Sequence, residues 1–117
     1  MDARYVRLTV TETAYHAPAC VSGLRVFGRG RGGPPEQAAQ VSARRRDGMT
    51  MEVCWRGDAV GCEVLWGHSP DKLYHSVRVF GKNQAEIRAL MAGVERYYVR
   101  VDAFNENGIT AGEICGV

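Results

Sequence analysis

Three acidic side chains, Asp102, Glu95 and Glu106, are candidates for acid–base chemistry in this 117-residue chain. General acid–base catalysis by carboxylates needs two of them in one cleft, in unlike environments. The alternation of polar and apolar residues puts Asp102 on the solvent side of a strand, with the other two in its flanking loops. The sequence therefore predicts no catalytic residue in this chain, and no cofactor.

Two short motifs match catalytic or nucleotide-binding patterns in their letters. Ser69-Pro-Asp-Lys72 has the Ser-x-x-Lys spacing of penicillin-binding enzymes, but that motif opens a helix and needs partner motifs that are absent here. Gly28 to Gly33 spells G-x-G-x-x-G, but Pro34-Pro35 follows where a helix must begin. We interpret the first motif as a turn and the second as part of a linker.

Metal-ligand spacing is absent from the cysteines and histidines. No C-x-x-C pair occurs, so the pattern does not indicate a zinc site, and we expect reduced thiols. Strand parity predicts that Cys62 faces the core and that Cys54 faces out. The residues considered are Cys20, Cys54, Cys62, Cys115, His16, His68 and His75.

Two motifs could contact macromolecules. Arg56-Gly57-Asp58 is an integrin-type tripeptide, and a turn that needs Gly and Asp explains it equally well. The run from Arg44 to Arg46 could serve a nucleic-acid arm, but arginines on an edge strand protect that edge from pairing. We expect no nucleic-acid partner.

Carbohydrate binding requires exposed, flat aromatic rings. Parity places Trp55 and Trp66 in the core, which leaves Tyr98 beside Arg100, together with Tyr74, as a candidate weak binding patch. Exposed tyrosines are common without any ligand. Glycan contact therefore stays open but is not the favoured interpretation.

The composition is that of an ordinary globular domain, with 45% hydrophobic and 24% charged residues. No apolar run approaches the roughly 20 residues of a membrane span. The segment after Met1 is charged and strand-like, unlike a signal peptide. The compartment, cytoplasmic or secreted, depends on a signal that these residues do not contain.

The elements that must position these residues are strands at sandwich-like intervals. Between Leu90 and Gly108 the alternation is strongest, with Tyr97, Val99 and Val101 on one face. The seven predicted strands span 41–46, 49–55, 60–66, 72–80, 85–90, 97–103 and 111–117.

The order of Leu90, a turn at Gly93, Tyr97 and then Val99-x-Val101 resembles the penultimate strand of a fibronectin type III domain. This resemblance covers residues 38–117 and implies an all-β, immunoglobulin-like sandwich of seven strands. It also implies that Tyr97 reaches back to the preceding turn, as a tyrosine corner does. The fold-defining residues would be Trp55, Trp66, Leu90, Gly93, Tyr97, Val99 and Val101.

The sequence of residues 1–28 predicts a two-strand appendage, with strands at 3–11 and 20–28. The phrases Arg4-Tyr-Val-Arg-Leu8 and Ser22-Gly-Leu-Arg-Val-Phe-Gly28 resemble the last two strands of a discoidin-like jelly roll. A Gly/Pro-rich linker follows at 29–37. Two strands alone are marginal in water. The appendage must therefore dock on the sandwich, self-associate or stay disordered, and we favour docking or self-association.

A discoidin-like end joined to a fibronectin type III module resembles the C-terminal region of bacterial glycoside hydrolase family 43 proteins, xylosidases and arabinofuranosidases. The phrases Val64-Leu-Trp-Gly-His-Ser-Pro-Asp-Lys-Leu-Tyr-His75 and Tyr98-Val-Arg-Val-Asp-Ala-Phe-Asn-Glu-Asn-Gly-Ile109 add to it. In that family the catalytic propeller lies upstream. The resemblance implies a non-catalytic module that packs on, spaces or orients that upstream catalytic domain. The alternative is a free-standing protein- or glycan-binding module of adhesin or receptor type.

Overall fold

The computed structural model describes residues 2–117. Its eight strands lie in the second part of the chain, where apolar residues alternate, and one short helix lies before them. Met1, the first residue of the predicted appendage, lies outside the described residues. The elements are a 3-10 helix (Ala14–His16), β1 (Ala39–Arg45), β2 (Met51–Arg56), β3 (Gly61–Gly67), β4 (His75–Phe80), β5 (Gln84–Ile87), β6 (Tyr98–Asn105), β7 (Gly108–Thr110) and β8 (Cys115–Gly116).

The strands form two antiparallel sheets that face each other as a sandwich. One sheet has the order β1-β2-β5, and the other has the order β4-β3-β6-β7, with β8 also paired to β6. The predicted sandwich is confirmed, but its last strand is split into β7 and β8. Strand β4 starts at His75, later than predicted, because the Lys72 amide donates to the Ser69 carbonyl oxygen (3.0 Å) in a turn.

The core lies between the sheets and is made of the residues that alternate inward. Its most deeply buried side chains are Met51, Val53, Val64, Val99 and Val101. Each such side chain contributes about 1.5–3 kcal/mol relative to an exposed position. The larger members of the same cluster are Trp55, Trp66, Leu90 and Tyr97. Inward Cys62 and outward Cys54 follow the predicted parity.

Tyr97 links the core to the turn that precedes β6. Its phenol oxygen accepts a hydrogen bond from the Met91 amide (2.8 Å), and Gly93 lies in the turn between the two residues. The Arg45 guanidinium lies 5.4 Å from the centre of the ring. The tyrosine therefore fixes the approach of the chain to β6, which is the role that the resemblance implies for Tyr97.

The two predicted N-terminal strands do not form. Residues 2–38 contain no strand, and the apolar side chains of 5–10 and 21–27 are exposed. The physical reason is that two isolated strands bury too little surface to offset the entropy of ordering them. With this segment off the core, the radius of gyration is 18.9 Å, against about 13 Å for a compact chain of this length.

Candidate interaction site

The predicted linker is bonded along one edge of the sandwich. The Gly32 amide donates to Asn107 Oδ1 (3.1 Å), and Asn105 Nδ2 donates to the Gly33 carbonyl oxygen (3.1 Å). Further on, Thr110 Oγ1 donates to the Pro35 carbonyl oxygen. These contacts all go to residues of the β6–β7 hairpin, so the segment lies along the hairpin.

Two anchors complete this arrangement. Gln37 Nε2 donates to the Ala111 carbonyl oxygen (3.0 Å), and Ala38 is buried in the core. We call residues 32–37 and their partners Asn105, Asn107, Thr110 and Ala111 the linker clamp. Because successive bonds are two residues or fewer apart, the clamp fixes the direction in which the chain before Gly32 leaves the sandwich.

Hydrogen bonds within the β6–β7 hairpin orient the side chains that bind the linker. Asn105 Oδ1 accepts hydrogen bonds from the amides of Asn107 (2.8 Å) and Gly108 (3.1 Å). These bonds leave Asn105 Nδ2 and Asn107 Oδ1 directed at the linker. The run Asn105-Glu-Asn-Gly108 was predicted as a turn, but nothing in its pattern indicated a binding partner.

A second feature is an aromatic patch on the outer face of the β4-β3-β6-β7 sheet. Strand pairing aligns Phe80, Gly61, Phe104 and Ile109 in one row across the four strands. The Phe80 and Phe104 rings meet edge to face at 5.4 Å, and Phe104 packs over Gly61, where a Cβ would have no room. Arg78 lies 5.2 Å from the centre of the Phe104 ring. The row provides apolar and cationic groups of the kind enriched in protein interfaces.

This patch was not predicted from the sequence. Phe104 has the same strand parity as Tyr98 and Arg100, so its outward direction was available from the alternation. The pairing of Phe104 with Phe80 was not available, because it depends on β3 lying between β4 and β6. Phe80 is 59% exposed and Ile109 is 68% exposed, so the row is accessible.

The patch predicted at Tyr98, Arg100 and Tyr74 is only partly assembled. Arg100 is engaged by Asp102 through two contacts of 2.8 Å. The Lys72 carbonyl packs over Gly67, the residue paired with Tyr98, so the loop that carries Tyr74 covers this end of the face. Tyr98 is half-buried and Tyr74 is exposed. This arrangement does not present the two tyrosines as one open platform.

Asp102 corrects one prediction. It was expected on the solvent side of its strand, but it is buried, with 8% of its surface exposed. Its carboxylate is paired with Arg100 and accepts a hydrogen bond from the Gly112 amide (3.0 Å). The segment between β7 and β8 covers it. Strand parity predicted the correct face for Asp102, but it could not predict that the segment between β7 and β8 covers the side chain.

The carboxylates considered for acid–base work do not share a cleft. Glu106 lies in the β6–β7 turn, and Glu95 borders a depression with Arg96 and Val117, before β6. A different pair, Glu52 and Glu86, is placed side by side across β2 and β5. A general acid needs a raised pKa, whereas hydrogen bonds from Arg46 and then Arg44 lower the pKa of Glu52.

Both indole rings are enclosed, so neither offers a surface on which a sugar could stack. Trp55 and Trp66 are buried, and their Nε1 atoms have no hydrogen-bond partner among residues 2–117. His75 stacks on Trp66 with ring centres 5.6 Å apart.

The arginine run on the edge strand β1 is used within the sandwich. Arg44 and Arg46 pair with Glu52, and Arg45 donates to the carbonyl oxygens of Val94 (2.6 Å) and Gly48 (2.8 Å). Arg45 therefore ties β1 to the turns at one end of the sheet. These contacts give the run a role in local structure.

The remaining motifs have simple positions. Arg56-Gly57-Asp58 is exposed and runs from the last residue of β2 into the β2–β3 loop, where Asn83 Nδ2 donates to the Gly57 carbonyl oxygen (2.9 Å). All four cysteines are free thiols, and burial raises the pKa of the Cys62 thiol. Residues 2–117 contain no group of three His, Cys, Asp or Glu side chains suited to a metal ion. Within this part of the chain, no helix has the length and apolar character to span a membrane.

No family model matches the chain, and no curated protein matches it. Among solved structures, it is similar to the chicken CNTN1 FN1-FN3 domains, with 20% identity and a TM-score of 0.62 over 72% of this chain and 30% of that one. It is also similar to the fn3 domain of human contactin 1, with 17% identity and a TM-score of 0.62 over 86% of this chain and 91% of that one.

The third fibronectin III domain of the human KIAA0343 protein gives a similar result, with 18% identity and a TM-score of 0.55. It covers 84% of this chain and 91% of that one. The chain thus spans 30% of the length of the chicken FN1-FN3 chain and 91% of each of the two single domains. At these identities the likeness concerns the fold, which is that of a fibronectin type III sandwich.

Proposed function

We propose that this chain is a non-catalytic accessory module of a glycoside hydrolase, which packs on, spaces or orients the catalytic domain. The observation that carries the proposal is the linker clamp. A flexible Gly-rich linker would let a preceding domain sample many directions. A segment bonded at Gly32, Gly33, Pro35 and Gln37 restricts those directions, which is what an orienting module requires.

The aromatic patch supports the same proposal by its position. The row of Phe80, Phe104 and Ile109 lies at the end of the sheet that holds the β6–β7 turn, where the clamp begins. A domain attached before residue 29 would meet this end of the sandwich first. Interfaces between domains of one chain are small and partly polar, and this mixed apolar and cationic row fits them.

The glycoside hydrolase as partner rests on the resemblance of residues 1–28 and of the phrases at 64–75 and 98–109 to the C-terminal region of family 43 proteins. That resemblance also indicates that the catalytic residues belong to another domain. A carboxylate such as Asp102, held by Arg100 and Gly112, is suited to structural work. The proposal therefore assigns this chain no step of hydrolysis.

The second candidate is a free-standing binding module of adhesin or receptor type. The exposed Arg56-Gly57-Asp58 loop and the exposed Phe80 favour it, because both are open to a protein partner. A protein fits better than a glycan, since the edge-to-face rings of Phe80 and Phe104 do not form a flat surface.

Titration of the chain against a family 43 catalytic domain encoded in the same gene tests the proposal. We expect saturable association that weakens when Phe80 and Ile109 are both replaced by Ser, with Tyr15→Ser as the control at a fully exposed position. The coding sequence before Met1 separates the two candidates. A propeller-sized region with spaced Asp, Asp and Glu supports the first, whereas a signal peptide and tandem sandwiches support the second. No association with the catalytic domain would contradict the accessory role.

A further inference from the structure

Strand β4 is an open sheet edge without the usual protection. It ends the β4-β3-β6-β7 sheet, and its six residues pair with β3 in an unbroken register. No hydrogen bond outside the β3–β4 ladder involves its backbone among residues 2–117. Such an edge offers free N–H and C=O groups to another strand.

The other edges are better guarded. Strand β1 has a register shift near its start and carries the arginine run, and β5 is only four residues long. Strands β7 and β8 are short and separated. On β4 the one charged side chain, Arg78, is drawn over the sheet face towards Glu63 (3.6 Å) and Phe104, so it does not shield the edge.

The edge also leaves the core open at its rim. Val77 is paired with the fully buried Val64 on the inward face, yet Val77 is 38% exposed. An additional strand beside β4 would cover Val77 and Val79, and it would need apolar residues at alternate positions.

The N-terminal segment of the chain has this alternating pattern. Val6, Leu8 and Val10 alternate with polar residues in a segment that is strand-like in sequence but unpaired and exposed in the structure. We propose that residues 6–12 of one copy of this chain add to the β4 edge of a second copy, in a reciprocal exchange that makes a closed dimer.

An antiparallel register can be chosen from side-chain chemistry. Leu8 opposite Val79 and Val10 opposite Val77 would place Arg7 against the Phe80 ring and Glu12 beside His75. Aligning the strands two residues differently would set Arg7 opposite Arg78, and like charges in that position are unfavourable. The first register therefore gives the better pairing on both faces.

The surface involved is sufficient for a dimer. Each exchange would cover about six apolar side chains of roughly 60–100 Å² each, so two exchanges remove on the order of 1,000 Å². We favour a second copy as the acceptor because, within residues 2–117, the donor segment does not pair with the β4 edge of its own chain. In its own sandwich the donor segment lies off the core.

Light scattering on the purified full chain tests this proposal. We expect a dimer, and we expect Leu8→Lys in the donor and Val77→Lys in the acceptor each to raise the dimer dissociation constant by more than about tenfold. Tyr15→Lys, at a fully exposed position outside both strands, is the control and should behave as the wild type. Leu8 lies outside the sandwich, so at concentrations low enough for both proteins to be monomeric, Leu8→Lys should melt at the same temperature as the wild type.

A mixture of the two variants separates exchange from folding back. The Leu8→Lys chain keeps an intact edge and the Val77→Lys chain keeps an intact donor, so a mixed pair retains one intact exchange. An equimolar mixture should therefore associate more tightly than either variant alone and more weakly than the wild type. A monomeric wild type, or a Leu8→Lys variant that dimerises as the wild type does, would overturn the proposal. A mixture that associates no more tightly than the two variants alone would also overturn it.

Discussion

At the scale of single residues, the fold depends most on Trp55, which fills the core where β2 faces the second sheet. Trp55→Ala should lower the free energy of unfolding by about 3–5 kcal/mol, through lost burial and the cavity left behind. That is a large part of the roughly 5–15 kcal/mol typical of a domain. Urea unfolding followed by circular dichroism measures the loss, with Tyr74→Ala as a control expected within about 0.5 kcal/mol. An unchanged midpoint for Trp55→Ala would mean that the ring is not in the core.

Two carboxylates with lowered pKa values, Asp47 and Glu52, should contribute to the loss of stability in acid. Hydrogen bonds from the Met49 and Thr50 amides hold the pKa of Asp47 below its ordinary 3.8, and Arg46 and Arg44 hold that of Glu52 below 4.5. Because both pKa values are lower in the fold than in the unfolded chain, the stability they contribute is present at neutral pH. It is lost as the pH falls below these ordinary values and through the folded ones.

The acid dependence is checked by denaturant midpoints measured between about pH 7 and pH 3. The Asp47→Asn/Glu52→Gln double variant should show a smaller decline below about pH 4 than the wild type. The asparagine amide introduced by Asp47→Asn keeps an oxygen that can accept from the Met49 and Thr50 amides, so the turn survives while its titration is removed. An equal decline of the denaturant midpoint in both proteins would mean that Asp47 and Glu52 do not contribute to the loss of stability at low pH.

Most residue positions in the sandwich could be predicted from alternation, and the exceptions have physical causes. Trp55, Trp66 and Val101 face inward because period-two patterning fixes a face. The burial of Asp102 could not be predicted, because it depends on a later segment that returns across β6. That segment donates the Gly112 amide to the Asp102 carboxylate. The aromatic patch depends likewise on strand order, which the pattern of one strand does not contain.

At the scale of elements, the break between β7 and β8 is set by a close approach of backbones. A Cβ on Gly112 would lie 2.2 Å from the Val101 carbonyl oxygen. Gly112→Ala should therefore push the segment off β6 and destabilise the domain by about 1–3 kcal/mol. Thermal unfolding measures this change. Gly57→Ala is the matched control, because a Cβ there meets no atom within 4 Å. Equal effects at the two positions would show that Gly112 does not hold the segment on β6.

Element prediction failed where strands needed a neighbour. Residues 3–11 and 20–28 have strand composition, yet they form no strand because no third strand in the described chain pairs with them. Propensity favours an extended chain but does not supply a partner. The predicted final strand is split into β7 and β8 because Gly112 approaches the Val101 backbone closely. This contact outweighs the β-propensity of the residues on either side of Gly112.

At the scale of the whole molecule, the orienting role depends on the linker. Its composition predicted a Gly/Pro-rich spacer at residues 29–37. The sequence could not indicate that the spacer would be bonded to Asn105, Asn107, Thr110 and Ala111, because those residues lie more than 70 positions away.

The most direct test of the central claim is the backbone order parameter of the linker amides, measured by NMR relaxation on the full chain. The order parameter of the Gly32 amide, which donates to Asn107, should be about 0.8, close to the values in the strands. The Gln37 amide should give a similar value. Asn107→Ala should lower the value at Gly32 while the amides of β6 keep theirs. Values below about 0.6 for Gly32, Gly33 and Gln37 in the wild type would contradict a clamped linker and the orienting role that depends on it.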